Sequence, residues 1–230
     1  MIYLTADTHG QIDIDKITVK KWPIQKQLNR NDYLIICGDM GLIWQNDKTY
    51  SYLLDFYTSR KYTVLFCEGN HSNHIWLNTF PIIDWHNGKV HQIADNIFHL
   101  MRGEIYNIND YKFLSIGGAL SIDKVYRTPY IDWWPEEEIN YEEQNYVLEQ
   151  LDKNNWSVDY VITHAAPKMI LKDMFPDKPQ FTGKSTTEQF LEYVRQQLNF
   201  KVWYFGHYHL DRDLNKFHCL YNRVVELQNE

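Results

Sequence analysis

A chain of 230 residues suits one large domain and can bury a substantial core. Its composition, 44% apolar and 16% aromatic, excludes a disordered chain, and a net charge of -7 argues against an extended duplex-binding face, which would need a basic surface. The acidic balance leaves phosphorylated ligands open, because bound divalent cations would invert the charge of a local site.

The chain opens Met1-Ile-Tyr-Leu-Thr-Ala-Asp7 without a basic segment and apolar core, so no signal peptide is expected. No apolar run approaches the roughly 18 residues that span a bilayer, and no membrane association is expected. Ile2 to Ala6, Tyr33 to Cys37 and Tyr62 to Cys67 are short apolar runs of the kind that form strands buried on both faces. Residues 14–30 and 47–60, between them, read as helices. Each strand stops at a polar cluster: Asp7-Thr8-His9, Gly38-Asp39 and Gly69-Asn70-His71. In an open α/β sheet such clusters converge beyond the carboxyl ends of the strands, where ligands bind.

From residue 89 the pattern becomes β-rich. Lys89 to Ile93, Ile97 to Met101, Glu104 to Ile108 and Tyr111 to Ile116 are separated by Asp95-Asn96, Arg102-Gly103 and Asn109-Asp110, the signature of an antiparallel meander. Residues 136–154 read as a helix opened by Pro135 and the acidic run Glu136 to Glu138. Val158 to Thr163 is a strand that runs into His164. Ser185-Thr186-Thr187-Glu188 is a capping box for a helix to about residue 198. Lys201 to Phe205 is a strand ending at Gly206-His207-Tyr208-His209, and residues 216–228 suggest a final pair of strands. Cys37, Cys67 and Cys219 have no paired spacing and read as reduced thiols of a cytoplasmic protein.

Each polar cluster is weak alone. Together Asp7, His9, Asp39, Asn70, His164, His207 and His209 are seven oxygen and nitrogen ligands, each just after a strand. Imidazole with carboxylate suits manganese, iron, zinc, cobalt or nickel rather than calcium. Seven residues exceed the needs of one ion and, with one carboxylate shared, supply about four contacts to each of two.

In this order the clusters D-x-H, G-D, G-N-H, H and G-H-x-H resemble the blocks of the calcineurin-like metallophosphoesterase superfamily, and they span nearly the whole chain. The resemblance implies an α/β fold, a four-layer α/β/β/α sandwich of two mixed sheets flanked by helices, formed by a single domain over residues 1–230. It has the β-rich 89–118 segment contribute to the second sheet. It implies two divalent transition-metal ions, manganese first. One ion would take Asp7, His9, Asp39 and His209, and the other Asp39, Asn70, His164 and His207, with Asp39 bridging. A hydroxide between the ions would attack phosphorus in line. His71 would be the catalytic group at the leaving oxygen, although position 72 is Ser72 where the family often has an orienting carboxylate. Ser/Thr protein phosphatases of the superfamily carry an Arg soon after the G-D pair; Gly38-Asp39-Met40-Gly41-Leu42 has none.

Residues 119–135 follow paired glycines and form a candidate substrate-specificity loop. Arg127 could clamp phosphate, and Trp133 or Trp134 could stack on a flat group; equally, the Trp pair could pack a helix onto the sheet. Asp13, Asp15 and Glu136 to Glu138 read as solvated faces or helix-start charges, and His74, His86, His91, His99 and His218 as structural or surface residues. The expected substrate is a nucleotide or nucleic-acid end, as a phosphodiester or phosphomonoester. The alternatives are a phosphatase of phosphoproteins or small metabolites and, from another class, a non-catalytic binding scaffold on the same fold.

Overall fold

The computed structural model describes residues 1–178 and 185–227, in two mixed sheets between two layers of helices. In the first sheet, β1 (Ile2–Thr5), β2 (Tyr33–Cys37), β3 (Thr63–Cys67) and β6 (Ile97–Leu100) run parallel. The antiparallel strands β5 (Gly88–Ala94) and β4 (Ile82–Trp85) extend one side, and β13 (Val225–Glu226) closes the other. The second sheet is built on parallel β8 (Tyr111–Ile116), β9 (Tyr160–Thr163), β10 (Val202–Phe205) and β12 (Phe217–Cys219). β7 (Ile105–Ile108) and β11 (Arg212–Leu214) flank it antiparallel.

Alternation along the strands assigns each side chain to a layer. Ile2, Leu4, Ala6, Ile35 and Leu65 meet Phe113, Tyr160, Ile162 and Tyr204 between the sheets. Tyr3, Leu34, Ile36 and Val64 point the other way, onto Ile17 and Trp22, onto Leu53 and Tyr57 of α1 (Lys48–Thr58), and onto Leu77 of the short α2 (His74–Leu77). The outer face of the second sheet, including Leu114, Val161 and Trp203, packs on α3 (Tyr141–Lys153), α4 (Lys168–Met174) and α5 (Thr186–Gln197). Strands buried on both faces need apolar residues at every position, which is why these runs are continuous rather than alternating.

Four expectations are corrected. Residues 14–30 form two 3-10 turns, Ile14–Ile17 and Pro23–Gln27, not an α-helix. Pro23 lacks an amide hydrogen and drives Trp22 out of the helical region, so the stretch breaks in the middle. Residues 136–154 begin as a separate 3-10 turn, Pro135–Glu137, and α3 starts at Tyr141, where Asn140 and Glu143 form the capping box. The 89–118 meander is divided: β5 and β6 belong to the first sheet, β7 and β8 to the second. The chain crosses between them at Arg102-Gly103, where Gly103 has φ 81° and its amide donates to Ser115 O. β12 and β13 of the tail likewise enter different sheets, and residue 228 lies outside the described residues. The edge strand β4 and helix α4 had no counterpart in the sequence reading. Among the described residues no helix is long and apolar enough to cross a membrane.

Candidate metal centre

The carboxyl ends of β1, β2, β3, β9 and β10 meet at one edge of the sandwich. Five of the seven residues singled out there lie in the left-handed backbone region: Asp7 (φ 52°), His9 (41°), Asp39 (48°), His207 (71°) and His209 (51°). Such conformations cost non-glycine residues energy and persist where the surroundings fix them. Here the loops fix one another, because Asp7 N donates to Gly38 O at 3.1 Å, His9 N to Asp39 O at 2.9 Å and Gly206 N to His164 O at 3.1 Å. A side chain at Gly38 would overlap the His164 ring, and one at Gly69 the Asp39 carboxylate, so both positions require glycine for close approach.

The two acids are held in the same manner. Asp39 Oδ1 accepts from His71 N at 2.9 Å, and Asp7 Oδ2 accepts from His207 N at 2.9 Å. Each thereby turns its second oxygen into the cluster. Asp39 Oδ2 lies 3.2 Å from His164 Nε2 and 3.5 Å from His9 Nε2. Asp7 Oδ1 lies 3.7 Å from His209 Nε2 and 3.9 Å from His9 Nε2, buried and without a hydrogen-bond partner. An orphaned buried carboxylate oxygen ringed by imidazole nitrogens fits a cation better than any group of the chain itself. Asp7, His9 and His209 form one potential ligand group, and Asp7, Asp39 and His164 a second. Asn70 Oδ1 joins the latter, 3.1 Å from His164 Nε2, and the His207 ring lies 5.0 Å from the His164 ring. All seven residues are thus brought together.

Residues behind them fix which atom faces inward. His164 Nδ1 bonds Cys37 O at 2.9 Å and His9 Nδ1 bonds Asp13 Oδ2 at 2.8 Å, so both rings offer Nε2 to the cluster. Tyr221 OH donates to Asp13 Oδ1 at 3.2 Å, while the Tyr221 ring stacks on His209 at 4.9 Å. Lys16 Nζ donates to Ala6 O and Asp7 O at 2.6 and 2.8 Å and also to Tyr221 O. Asp13 is therefore a partner of His9, not a solvated charge. The i, i+4 spacing of His9 and Asp13 was the only signal for it in the sequence.

Without cations the cluster shares protons. Burial, with the charge of Asp39 alongside, lifts the Asp7 carboxyl to about 6, against the pull of His164. Burial also works against Asp39, yet His164 and His71 hold it well below the carboxylate range. His164 is raised to about 9 despite its burial, chiefly by Asp39. Burial and the His164 charge push His207 down to about 3, and burial and His9 push His209 down to about 4. His164 and Asp39 thus form a buried ion pair whose proton a cation would displace.

His71 is half-buried at the rim, its ring 5.8 Å from His9 and 5.4 Å from Trp44. Burial, then the Arg127 charge among its neighbours, lowers its pKa although Asp39 opposes them. Ser72 does not orient it: Ser72 Oγ accepts from Gly69 N at 3.2 Å. The guanidinium of Arg127 is tied to Asp123 at 2.7 Å and Asp132 O at 3.1 Å and lies 6.0 Å from the Trp44 ring centre. Trp134 is 1% exposed and stands edge-on to Trp44 at 4.9 Å, a packing position with no open face. Trp133 is half-buried with Lys124 Nζ 5.6 Å from its ring. Trp44, absent from the sequence reading, is the aromatic residue beside His71. Glu137 is also not solvated, being buried and bonded to Ser121, and the half-buried Glu138 accepts from Ser185 Oγ at 2.6 Å.

The calcineurin-like phosphoesterase family model matches residues 1–211. A search of curated proteins gives no match. Among solved structures the chain is similar to a protein of unknown function from Aquifex aeolicus, at 14% identity over 94% of this chain and 89% of that one, with TM-score 0.39. It is also similar to the sulfate thiohydrolase SoxB from Thermus thermophilus, solved with glycerol, at 11% identity and TM-score 0.44. That match covers 96% of this chain but only 51% of SoxB, about half its length. With the family model spanning most of the chain and its buried acids and histidines gathered at one sheet edge, the protein belongs to the calcineurin-like phosphoesterases and is a metal-binding phosphoric ester hydrolase.

Proposed function

We propose that residues 1–230 form a single catalytic domain that hydrolyses a nucleotide or nucleic-acid phosphoester at two divalent transition-metal ions, manganese first. Asp7, His9, Asp39 and His209 would hold one ion, and Asp39, Asn70, His164 and His207 the other. The observation that carries this reading is the orphaned Asp7 Oδ1, which lies with Asp39 Oδ2 amid inward-facing imidazole nitrogens. Such a pair, when bound, supplies Lewis acidity toward the phosphoryl oxygens and lowers the pKa of water. The chain's own residues do the rest. His71 offers an imidazole N–H at the rim to the leaving oxygen. Arg127, preorganised by Asp123 and Asp132, binds a phosphoryl oxygen beside it. Trp44 and Trp133, with Ile122 (80% exposed), Val125 (77%) and Tyr126 (90%) on the same loop, offer apolar surface to an organic group. Three buried free thiols support a reducing, cytoplasmic setting.

The test is hydrolysis of bis-p-nitrophenyl phosphate against p-nitrophenyl phosphate with manganese. Turnover of the diester, with KM raised about tenfold or more by Arg127→Ala, is expected, since a charge-assisted hydrogen bond is worth roughly 1.5–3 kcal/mol. Strict preference for the monoester, with no effect of Arg127→Ala, would favour the metabolite or phosphoprotein alternative.

Metal binding should also depend on pH with a definite sign. His164 holds a proton up to about pH 9 in the metal-free protein and must lose it to bind a cation. Apparent affinity is therefore expected to rise with pH, by up to about tenfold per unit for one displaced proton, and to level off above about pH 9. Calorimetric titration with manganese in buffers of different ionisation enthalpy would measure the released proton. Binding at pH 7 without proton release would contradict the His164–Asp39 ion pair.

A further inference from the structure

The amide of Asn70 can serve a cation only if its oxygen, not its nitrogen, faces the cluster. Its own geometry does not decide this, because the two ends of an amide have nearly the same shape. The decision is made by two residues of the 119–139 segment. Asn70 Nδ2 donates to Ser121 Oγ at 3.1 Å, and Ser121 Oγ donates to Glu137 Oε2 at 2.5 Å. The other Glu137 oxygen, Oε1, accepts from Ser121 N at 2.9 Å. All three side chains are buried: Asn70 is 5% exposed, Ser121 3% and Glu137 1%.

The chain of bonds has a direction. An ionised carboxylate only accepts, so the Ser121 hydroxyl hydrogen is committed to Glu137. Oγ is left with lone pairs toward Asn70 and can only accept there. Asn70 must then present its NH2 group to Ser121 and its Oδ1 to the opposite side, where it lies 3.1 Å from His164 Nε2. A flipped amide would set Oδ1 against Oγ lone pairs and aim two N–H donors at the cation position.

We propose that Ser121 and Glu137 are positioning residues that lock the Asn70 amide with its oxygen toward the ion held by His164. This rests on the reading of Asn70 as a ligand given above. The residues make no contact with substrate and act only through Asn70. The 119–135 segment thereby has a task besides lining the site, since its first turn sets the polarity of a ligand.

The test is manganese titration of the purified protein, followed by calorimetry and by the EPR signal of free Mn(II), in wild type, Ser121→Ala and Glu137→Gln. Wild type should bind two ions. In both variants one ion should bind as in wild type and the other about 10–100-fold more weakly, the usual effect of removing a partner behind a metal ligand. Glu137→Gln removes the committed acceptor and lets the new amide donate to Ser121, so it should act without a change in packing volume. Asn70→Asp has oxygen at both ends and no polarity to set, so adding Ser121→Ala to it should produce a much smaller further loss. Two wild-type-like affinities in Ser121→Ala and Glu137→Gln would overturn the proposal and leave the metal reading standing. An equal loss from Ser121→Ala whether or not Asn70→Asp is present would overturn it in favour of a packing role. A wild-type protein that binds no second ion would instead refute the ligand reading itself.

Discussion

Asp39→Asn is expected to reduce kcat/KM by roughly a thousandfold or more while leaving the fold intact. Charge stabilisation at a two-metal site is worth several kcal/mol, and about 4 kcal/mol corresponds to three powers of ten. The substitution removes the negative charge that faces His164 and His9 with almost no change of side-chain shape. Asparagine tolerates the left-handed backbone at this position (φ 48°), and its oxygen can still accept from His71 N. The variant should therefore purify as a folded protein, but unfold at a lower temperature than metal-free wild type, because the buried His164 loses its anionic partner. Manganese should raise the unfolding temperature of wild type but much less that of the variant, because a ligand stabilises only the state that binds it. Retention of both metal-induced stabilisation and turnover would remove Asp39 from the centre of the site.

The seven ligand candidates were legible because their signal is local: a metal-ligating residue type at the end of an apolar run. Their partners were not. Nothing about Ser121 or Glu137 in sequence marks a bond to Asn70, since those contacts exist only once the end of β8 lies beside the end of β3. Lys16 and Tyr221 are brought together from opposite ends of the chain. The layer order and a share of 89–118 in the second sheet were implied by the family resemblance, but the division of that segment between β6 and β7 was not. A half-buried strand shows the same alternation whichever sheet it joins, so the crossing at Gly103 depends on pairing partners outside the window. The break in 14–30 could have been read from Pro23. Trp44 sits in a loop with no periodicity to mark it, and Trp134, despite its Arg and Asp neighbours in sequence, is packed behind it.

Arg102→Met is expected to destabilise the protein by about 3–5 kcal/mol, the cost of leaving one charge of a buried pair alone. Glu68 is 2% exposed and bonds Arg102 Nε on one side and His99 Nε2, at 2.8 Å, on the other. Burial works against its charge, but Arg102 and His99 hold its pKa below the ordinary value of 4.5. A carboxylate with a depressed folded pKa contributes stability above its unfolded pKa, and the contribution fades as pH falls through 4.5 toward the folded value. Without Arg102 the folded pKa must rise, so the acid-induced loss should begin at higher pH in the variant. Urea midpoints between about pH 3 and 7 would show both effects, and a loss under about 1 kcal/mol with a parallel pH profile would contradict the assignment. Arg102→Met with Glu68→Gln should recover part of the stability, since no unpaired charge remains in the interior and Glu143, which Arg102 also pairs at 2.9 Å, is partly exposed. The recovery should not extend to the metal site. Arg102 also donates to the carbonyls of Glu136 and Glu137 at 3.0 and 3.2 Å, and so holds the turn from which Glu137 reaches Ser121. In the double variant that turn is still untied, so the ion held by His164 should remain more weakly bound even where the fold has been restored.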